Sequence, residues 1–207
     1  MIHTDQMTQI AASDWTFHFE TGRPCLDFVA TVGDRTHLAF DRWRTPADLA
    51  RWCVEAGMLK TAPAIGSRHL KQARMLREAI YRTVDAIRDG RRPELRDIKK
   101  LNVCAVRPAL APQLDRGGRV VQWTFSDPAD AVLSTIARDA IALVSSADLE
   151  RIRKCAATSC SVLFLDTSRP GRRRWCSMNR CGNRMKKMIY RRQLRKKASA
   201  TGSKSSA

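Results

Sequence analysis

Acidic residues are nearly missing from the last quarter of the chain, although they are common in the rest of it. Residues 151–207 hold 17 Lys and Arg against one acid, Asp166, whereas residues 1–150 hold 21 Lys and Arg against 19 acids. Nearly all of the formal net charge of +18 therefore lies in this last segment. A folded unit with so few acids has a positive surface, and such a surface attracts polyanions.

The chain also lacks the residue sets of common enzyme classes. It contains no glycine-rich phosphate loop, no dinucleotide fingerprint and no serine, histidine and aspartate in a triad pattern. The four histidines, His3, His18, His37 and His69, have no metal-ligand spacing, and we expect each to be a surface or strand residue. The sequence therefore predicts a protein that is not an enzyme.

Long apolar runs are missing as well. No run is long enough to span a membrane, and the first residues lack the basic region and apolar segment of a secretory signal. The seven cysteines, an odd number, fit a reducing compartment. We therefore expect a cytoplasmic protein without a membrane partner.

Four of the cysteines form two pairs: Cys155 with Cys160, and Cys176 with Cys181, with four residues inside each pair and 15 between the pairs. Two loops that each offer two thiolates can supply the corners of a tetrahedron, which is the geometry of a closed structural zinc site. Unrelated core cysteines or disulfides explain matched pairs less well in a chain with no secretory signal. Iron accepts the same four thiolates, so Zn²⁺ is the predicted cofactor and iron stays an alternative.

The residues around these cysteines predict a hairpin followed by a helix. Residues 162–165 have strand character, 168–171 have turn chemistry, and 173–175 are predicted to return as the second strand. After Gly182 a run of helix-forming residues predicts a helix that ends near Lys197. The order of these elements is that of a treble clef.

The predicted final helix carries basic residues at three- and four-residue steps, which places them on one face. With an arginine run from the predicted second strand, this face suits a phosphate backbone while the helix lies in or across the major groove of duplex DNA. Arg180 and Arg184, in the first turn, are the predicted guanine contacts, whereas Asn183 suits either adenine or a local backbone bond. The full predicted DNA-binding set is Arg172, Arg173, Arg174, Arg180, Asn183, Arg184, Lys187, Arg191 and Arg195.

The first 147 residues predict four helices and a small antiparallel sheet. Helices are expected after the capping residues Thr45, Ser67 and Asp127 and over residues 95–105. Strands are expected at residues 15–20 and 119–125, and we expect them to pair because isolated strands are unstable. Asp148 is predicted to cap a short helix, 149–154, that leads into Cys155, while residues 1–12 are predicted to be frayed.

The second cysteine pair lies in a recognisable motif. The segments WCSM at 175–178 and CGNR at 181–184, followed by Lys186, resemble the CGNR-type zinc finger of bacterial regulators. The first cysteine pair and the segment 164–166 precede the motif in the order of that family. The resemblance implies a zinc-stabilised module that binds DNA and an N-terminal partner domain.

The N-terminal half contains a second landmark. Residues 25–31, with Leu-Asp-Phe followed by Thr, resemble the start of ABATE domains, which are regulatory domains of the stress response often joined to CGNR fingers. Further matches in the order of that family are Leu49, Trp52, 57–59 and 76–81.

Two residues of this landmark bear on its role. Ala30 stands where that family commonly has a polar residue, which argues against a ligand contact by this segment. For Asp27 we favour capping or salt-bridging a helix over ligand binding, because buried polar groups are mostly satisfied within the protein.

These observations together predict an α+β, mainly helical fold. Residues 1–147 form an ABATE-like helical domain with a small antiparallel sheet, 148–197 a treble-clef-like four-cysteine zinc finger, and 198–207 a disordered tail. The predicted function is a transcription regulator that binds duplex DNA; RNA binding and docking on an acidic partner protein are the alternatives. A small-molecule effector and a homodimer both stay open for the N-terminal domain.

Overall fold

Helices dominate the computed structural model, which describes residues 10 and 12–202, with side chains of residues 10 and 13–195. The helices are α1 (Pro24–Val29), α2 (Pro46–Glu55), α3 (Ser67–Arg88), α4 (Leu95–Ala105), α5 (Pro128–Val144) and α6 (Asn183–Gly202). The antiparallel strand pairs are β1 (Val32–Gly33) with β2 (Phe40–Asp41), β3 (Ala111–Leu114) with β4 (Val121–Thr124), and β5 (Ile152–Lys154) with β6 (Leu163–Leu165). The predicted α+β, mainly helical class is confirmed. None of the described helices is both long and apolar enough to cross a membrane.

Side-chain caps fix the starts of two helices. Asp127 accepts a hydrogen bond from the Asp130 amide at 2.8 Å at the start of α5, and Asp48 accepts one from the Thr45 amide at 2.8 Å at the start of α2. These bonds satisfy amides that have no partner inside the helix. The Asp127 cap and the start of α2 after Thr45 were predicted, whereas at α3 Gly66 occupies the capping position and the predicted cap, Ser67, is already helical.

An aromatic cluster lies at the centre of the N-terminal core. Phe28 from α1 contacts Trp43 and Trp52 with ring-centroid separations of 4.7 and 5.2 Å, and the two tryptophans lie 5.9 Å apart, all edge to face. Each such pair contributes about 0.5–1.5 kcal/mol beyond the burial of its area. The Leu-Asp-Phe landmark therefore forms a core helix.

The predicted sheet pairing is wrong. Residues 12–15 form a 3₁₀ turn and 16–20 form no strand, while β4 pairs with the neighbouring segment β3. The pairing is local because Asp115 accepts bonds from the Arg119 and Val120 amides and so closes a tight turn. Pro112 lies inside β3, where a strand with a free edge tolerates the missing amide.

The predicted helix over residues 149–154 is also wrong. Residues 147–151 form a 3₁₀ turn, and the chain then extends into β5, which pairs with β6. In this hairpin Ile152, Leu163 and Leu165 are buried in the same core as the helices of the N-terminal domain. Phe164 points to the opposite face, toward the cysteines. The hairpin therefore belongs to both halves of the molecule, without a linker between them.

Two predictions concern the chain ends. The segment 1–12 lies outside the described residues except for residues 10 and 12. Helix α6 continues to Gly202, beyond the predicted end near Lys197, and residues 203–207 lie outside the described part of the chain.

The Asp27 carboxylate is satisfied within the protein, as the sequence analysis favoured, although by Thr21 rather than by capping or salt-bridging a helix. The carboxylate accepts hydrogen bonds from the Thr21 amide at 3.1 Å and the Thr21 hydroxyl at 2.7 Å. The Thr21 carbonyl in turn accepts a bond from the Leu165 amide of β6 at 2.7 Å. Asp27 therefore orients a segment that joins the N-terminal domain to the β5–β6 hairpin.

Burial, the largest influence, raises the pKa of Asp27 to about 6. An Asp in the unfolded chain has a pKa of about 3.9, so the stabilisation from this group is complete below that pH and is lost as the pH rises through about 6. Asp27→Asn does not titrate there. The free energy of unfolding of Asp27→Asn minus that of the wild type should therefore increase by about 1–2 kcal/mol from about pH 5 to about pH 7.5. Urea unfolding at stepped pH measures this, and a difference that stays constant over the range contradicts it.

Candidate zinc site and basic helix

Four cysteine sulfurs meet in one place. The Sγ atoms of Cys155, Cys160, Cys176 and Cys181 all lie within 4.8 Å of one another. The sulfur of Cys176 lies 3.8 Å from that of Cys160 and 3.7 Å from that of Cys181. A zinc–sulfur distance of about 2.3 Å requires sulfurs about 3.8 Å apart in a regular tetrahedron. The donor set and its size therefore fit a zinc ion held by these four residues.

The first cysteine pair lies in the turn of the β5–β6 hairpin. Cys155 directly follows β5, and its amide donates to the Val162 carbonyl at 2.9 Å, which brings the chain back toward β6. The predicted hairpin of residues 162–165 with 173–175 is therefore wrong, because β6 pairs with the strand before it. Residues 173–175 form no strand, since the buried Asp166 carboxylate accepts bonds from Ser168 and from the Arg173 amide and folds this segment into a loop.

The second cysteine pair frames the start of the final helix. Residues 178–182 form one π turn, in which the Ser177 hydroxyl accepts from the Arg180 amide at 3.4 Å. The Ser177 carbonyl accepts from the amides of Cys181 and Gly182, both at 3.0 Å. This turn directs the Cys181 sulfur inward and continues into α6, so the orientation of the helix depends on the cysteine cluster.

The cluster needs positive charge around it. Hydrogen bonding with Cys160 lowers the pKa of Cys155, whereas hydrogen bonding with Cys155 raises the pKa of Cys160 and Cys176. A metal ion that binds the four sulfurs would displace their protons. Four thiolates around Zn²⁺ carry a net charge of −2.

Arginines supply the balancing charge. Arg42, Arg180 and Arg184 line a cavity of about 130 Å³ beside Cys160 and Cys181. Arg42 is almost fully buried and donates to the carbonyls of residues 14 and 30 at 2.7 and 2.8 Å. Burial lowers its pKa to about 10, which leaves it charged at neutral pH. Arg184 donates to the Cys181 sulfur at 3.8 Å.

Arg180, a predicted DNA contact, is held by the N-terminal segment of the chain. It belongs to the π turn, and its guanidinium donates to the Ser13 and Thr16 carbonyls at 2.9 and 3.1 Å and to His18 Nε2. Burial, and next Arg180 itself, lowers the pKa of His18 to about 3, so this ring is neutral and can accept the bond. The guanine contact of Arg180 stays a prediction, whereas the view of His18 as a surface or strand residue is wrong, because His18 is buried and lies in no strand.

Arg173, another residue of the predicted DNA-binding set, also contacts the N-terminal domain. Its guanidinium donates to the Trp175 carbonyl at 2.8 Å and the Glu20 carbonyl at 3.1 Å, and it lies over the Phe164 ring at 4.7 Å. It also donates to the Cys176 carbonyl. These contacts use the Nε and Nη2 groups of Arg173 and fix the cysteine loop to the N-terminal domain, while a phosphate contact of Arg173 stays a prediction.

The other predicted DNA-binding residues are exposed. Every described side chain from Lys186 to Arg195 is exposed, so this part of α6 projects from the body. Within the predicted DNA-binding set, only Arg184 forms an ion pair with a described acidic residue, a contact of 3.5 Å to Asp14. An open groove of about 790 Å³ runs along the helix beside Ser13 and Asp14. The exposed residues of the predicted set are Arg172, Arg174, Asn183, Arg184, Lys187, Arg191 and Arg195.

Sequence reasoning missed the residues of the N-terminal segment that hold the finger. Asp14 and His18 contact Arg184 and Arg180, more than a hundred positions away in the chain, and Arg42 lines the cavity beside the cysteines. Such pairings leave no periodic or local signal, so only the three-dimensional structure brings them together.

Family models match two parts of the chain. Residues 22–147 match ABATE, described as a putative stress-induced transcription regulator, and residues 151–193 match the CGNR zinc finger. No curated protein matches the chain. The ABATE match covers more than half of the chain, and the four clustered sulfurs are those of the matched finger. The chain therefore belongs to the ABATE family of transcription regulators and carries a CGNR zinc finger.

Proposed function

We propose that this regulator binds duplex DNA by placing α6 in or across the major groove, with the finger held by one zinc ion. The observation that carries the proposal is the exposed cationic helix next to a zinc-type cysteine cluster. The major groove of B-DNA, about 12 Å wide, admits an α-helix.

The face of α6 suits a phosphate backbone. At 100° per residue, Arg184, Lys187, Arg191 and Arg195 fall within an arc of about 80°. All four side chains are exposed and line the groove beside the helix. The loop before the second cysteine pair adds the exposed Arg172 and Arg174. Cations on two adjoining elements can follow one strand of the duplex and fix the position of the helix.

Asn183 is the candidate for a base contact at the start of α6. Asn183 is the first residue of α6 and is exposed. Recognition helices read bases mainly with their N-terminal residues, and an Asn side chain pairs with adenine through two hydrogen bonds. We therefore assign the first base contact to Asn183.

Binding to matched nucleic acids tests the proposal. Fluorescence anisotropy should give tighter binding to a mixed-sequence DNA duplex than to an RNA duplex of the same length at the same salt. The major groove of A-form RNA is deep and narrow, so a helix that fits the major groove of duplex DNA does not enter it. Tighter binding to RNA, or no binding to either duplex near physiological salt, would contradict DNA binding and favour the RNA or acidic-partner alternative.

Asp14 provides a test of the groove itself. Its carboxylate lies 3.5 Å from Arg184 and faces the groove in which a phosphate would lie. Asp14→Asn removes a charge that repels phosphate and competes for Arg184, so DNA affinity should increase about two- to fivefold. Glu55→Gln, an equal charge change on α2, should leave affinity unchanged. Equal effects of the two variants would mean that only net charge matters.

A further inference from the structure

A second cavity lies in the N-terminal domain, away from the cysteine cluster. It has a volume of about 390 Å³ and is formed between the β3–β4 hairpin and the segment that joins α2 to α3. Trp123 and Phe125 form one wall, and Leu59 and Pro63 form the other. Cavities of this size and character are typical of small-molecule sites.

The hairpin wall stands away from the body. All eight residues of β3 and β4 are exposed, and Trp123 and Phe125 are 39% and 43% exposed despite their size. A two-stranded hairpin is only marginally stable by itself in water. An apolar ligand between this hairpin and the α2–α3 segment would bury both rings and fix the hairpin against the body.

The polar groups of the cavity indicate the charge of the ligand. Lys60 is the only charged residue that lines it, and the described side chains place no carboxylate in an ion pair with its ammonium group. Gln122 and Thr61 add an amide and a hydroxyl as hydrogen-bond groups. Aromatic walls with one free cation at the edge suit a flat, apolar monoanion.

We propose that this cavity binds a small aromatic carboxylate, with the ring between Trp123 and the α2–α3 segment and the carboxylate at Lys60. The site does not depend on DNA binding, and it gives the ABATE domain a ligand of stated chemistry. A ligand of about a dozen heavy atoms occupies a large part of such a volume.

The test compares 2-naphthoate with its neutral amide, 2-naphthamide, by isothermal titration calorimetry on the full, zinc-loaded chain. The wild type should bind naphthoate with a Kd at or below about 1 mM, and naphthamide about tenfold more weakly. Lys60→Gln should weaken naphthoate about tenfold and leave naphthamide unchanged. Trp123→Ala should weaken both compounds at least about tenfold.

Two control variants separate the site from general effects. Val121→Ala changes the same hairpin at a residue that does not line the cavity, and Lys71→Gln removes an exposed charge from α3. Both should bind naphthoate like the wild type. The proposal is overturned if naphthoate does not bind at about 5 mM, if acid and amide bind equally, or if Trp123→Ala leaves both affinities unchanged.

Discussion

Replacing Cys176 with serine should abolish stoichiometric zinc binding and DNA binding together. A serine hydroxyl is a poor zinc ligand, and a structural zinc site stabilises a small module by an apparent 10–16 kcal/mol, on the order of its whole folding free energy. Without the ion the cluster cannot hold the π turn that leads into α6. Elemental analysis and anisotropy on the same preparation measure both losses.

The same substitution should also destabilise the N-terminal domain, although the helices should still form. Ile152, Leu163 and Leu165 of the finger hairpin are buried in the core of that domain. Loosening them exposes side chains that each contribute about 1.5–3 kcal/mol, so the thermal midpoint should fall by about 10 °C or more.

Cys104→Ala is the matched control, because Cys104 is buried in α4 away from the cluster. It should keep the zinc and the DNA affinity. Wild-type zinc content in Cys176→Ser would contradict the four-thiolate site, and an unchanged midpoint would contradict the shared core.

Neutralising the exposed face of α6 should produce the second large effect. In the triple variant Lys187→Gln, Arg191→Gln and Arg195→Gln, three proposed phosphate contacts are lost. Each contact to duplex DNA contributes about 0.9 to the slope of log affinity against log salt, so the slope should become shallower by about 2.7. The substituted side chains are exposed, so the fold should not change.

A second triple variant controls for net charge. Arg68, Lys71 and Lys99 are exposed on α3 and α4, and changing all three to Gln removes the same charge from the body. In this control variant the slope of log affinity against log salt should stay close to that of the wild type. If the slope becomes shallower by the same amount in both triple variants, α6 does not form the DNA-binding surface.

The sequence predicted the features that local chemistry determines. The spacing of Cys155, Cys160, Cys176 and Cys181 indicated the cluster, because short loops can bring only certain spacings to one ion. The capping positions Thr45 and Asp127, each followed by a proline, indicated where α2 and α5 begin, because both signals are local in the sequence.

Features that depend on distant pairing could not be predicted. The run 15–20 alternates as a strand does, but in the structure Phe17 enters the core and His18 meets Arg180 of the finger. Arg173, Arg180 and Lys187 belong to the same basic stretch of the sequence. Only the fold determines that the two arginine side chains donate to carbonyl oxygens while the Lys187 side chain is exposed. The periodic spacing of apolar residues along a sequence does not show which distant residue a side chain will contact.

The shared hairpin changes how the two matched regions relate. Because β5 and β6 present one face to the N-terminal core and the other to the cysteines, a shift in that core moves the base of the finger. The bonds from Asp27 through Thr21 to Leu165, and those from Arg180 to the segment 13–18, join the same two parts. This gives a regulatory domain direct contact with the proposed DNA-binding element.

One titration tests directly whether the cysteine cluster holds α6 for DNA binding. Zinc is removed from the protein with a chelator and then returned in the presence of labelled duplex DNA. Stripped protein should not bind the duplex, and the anisotropy should rise with added zinc until each chain holds a single ion. Stripped protein that binds the duplex as well as loaded protein does, or zinc uptake without any gain in DNA binding, would contradict that dependence.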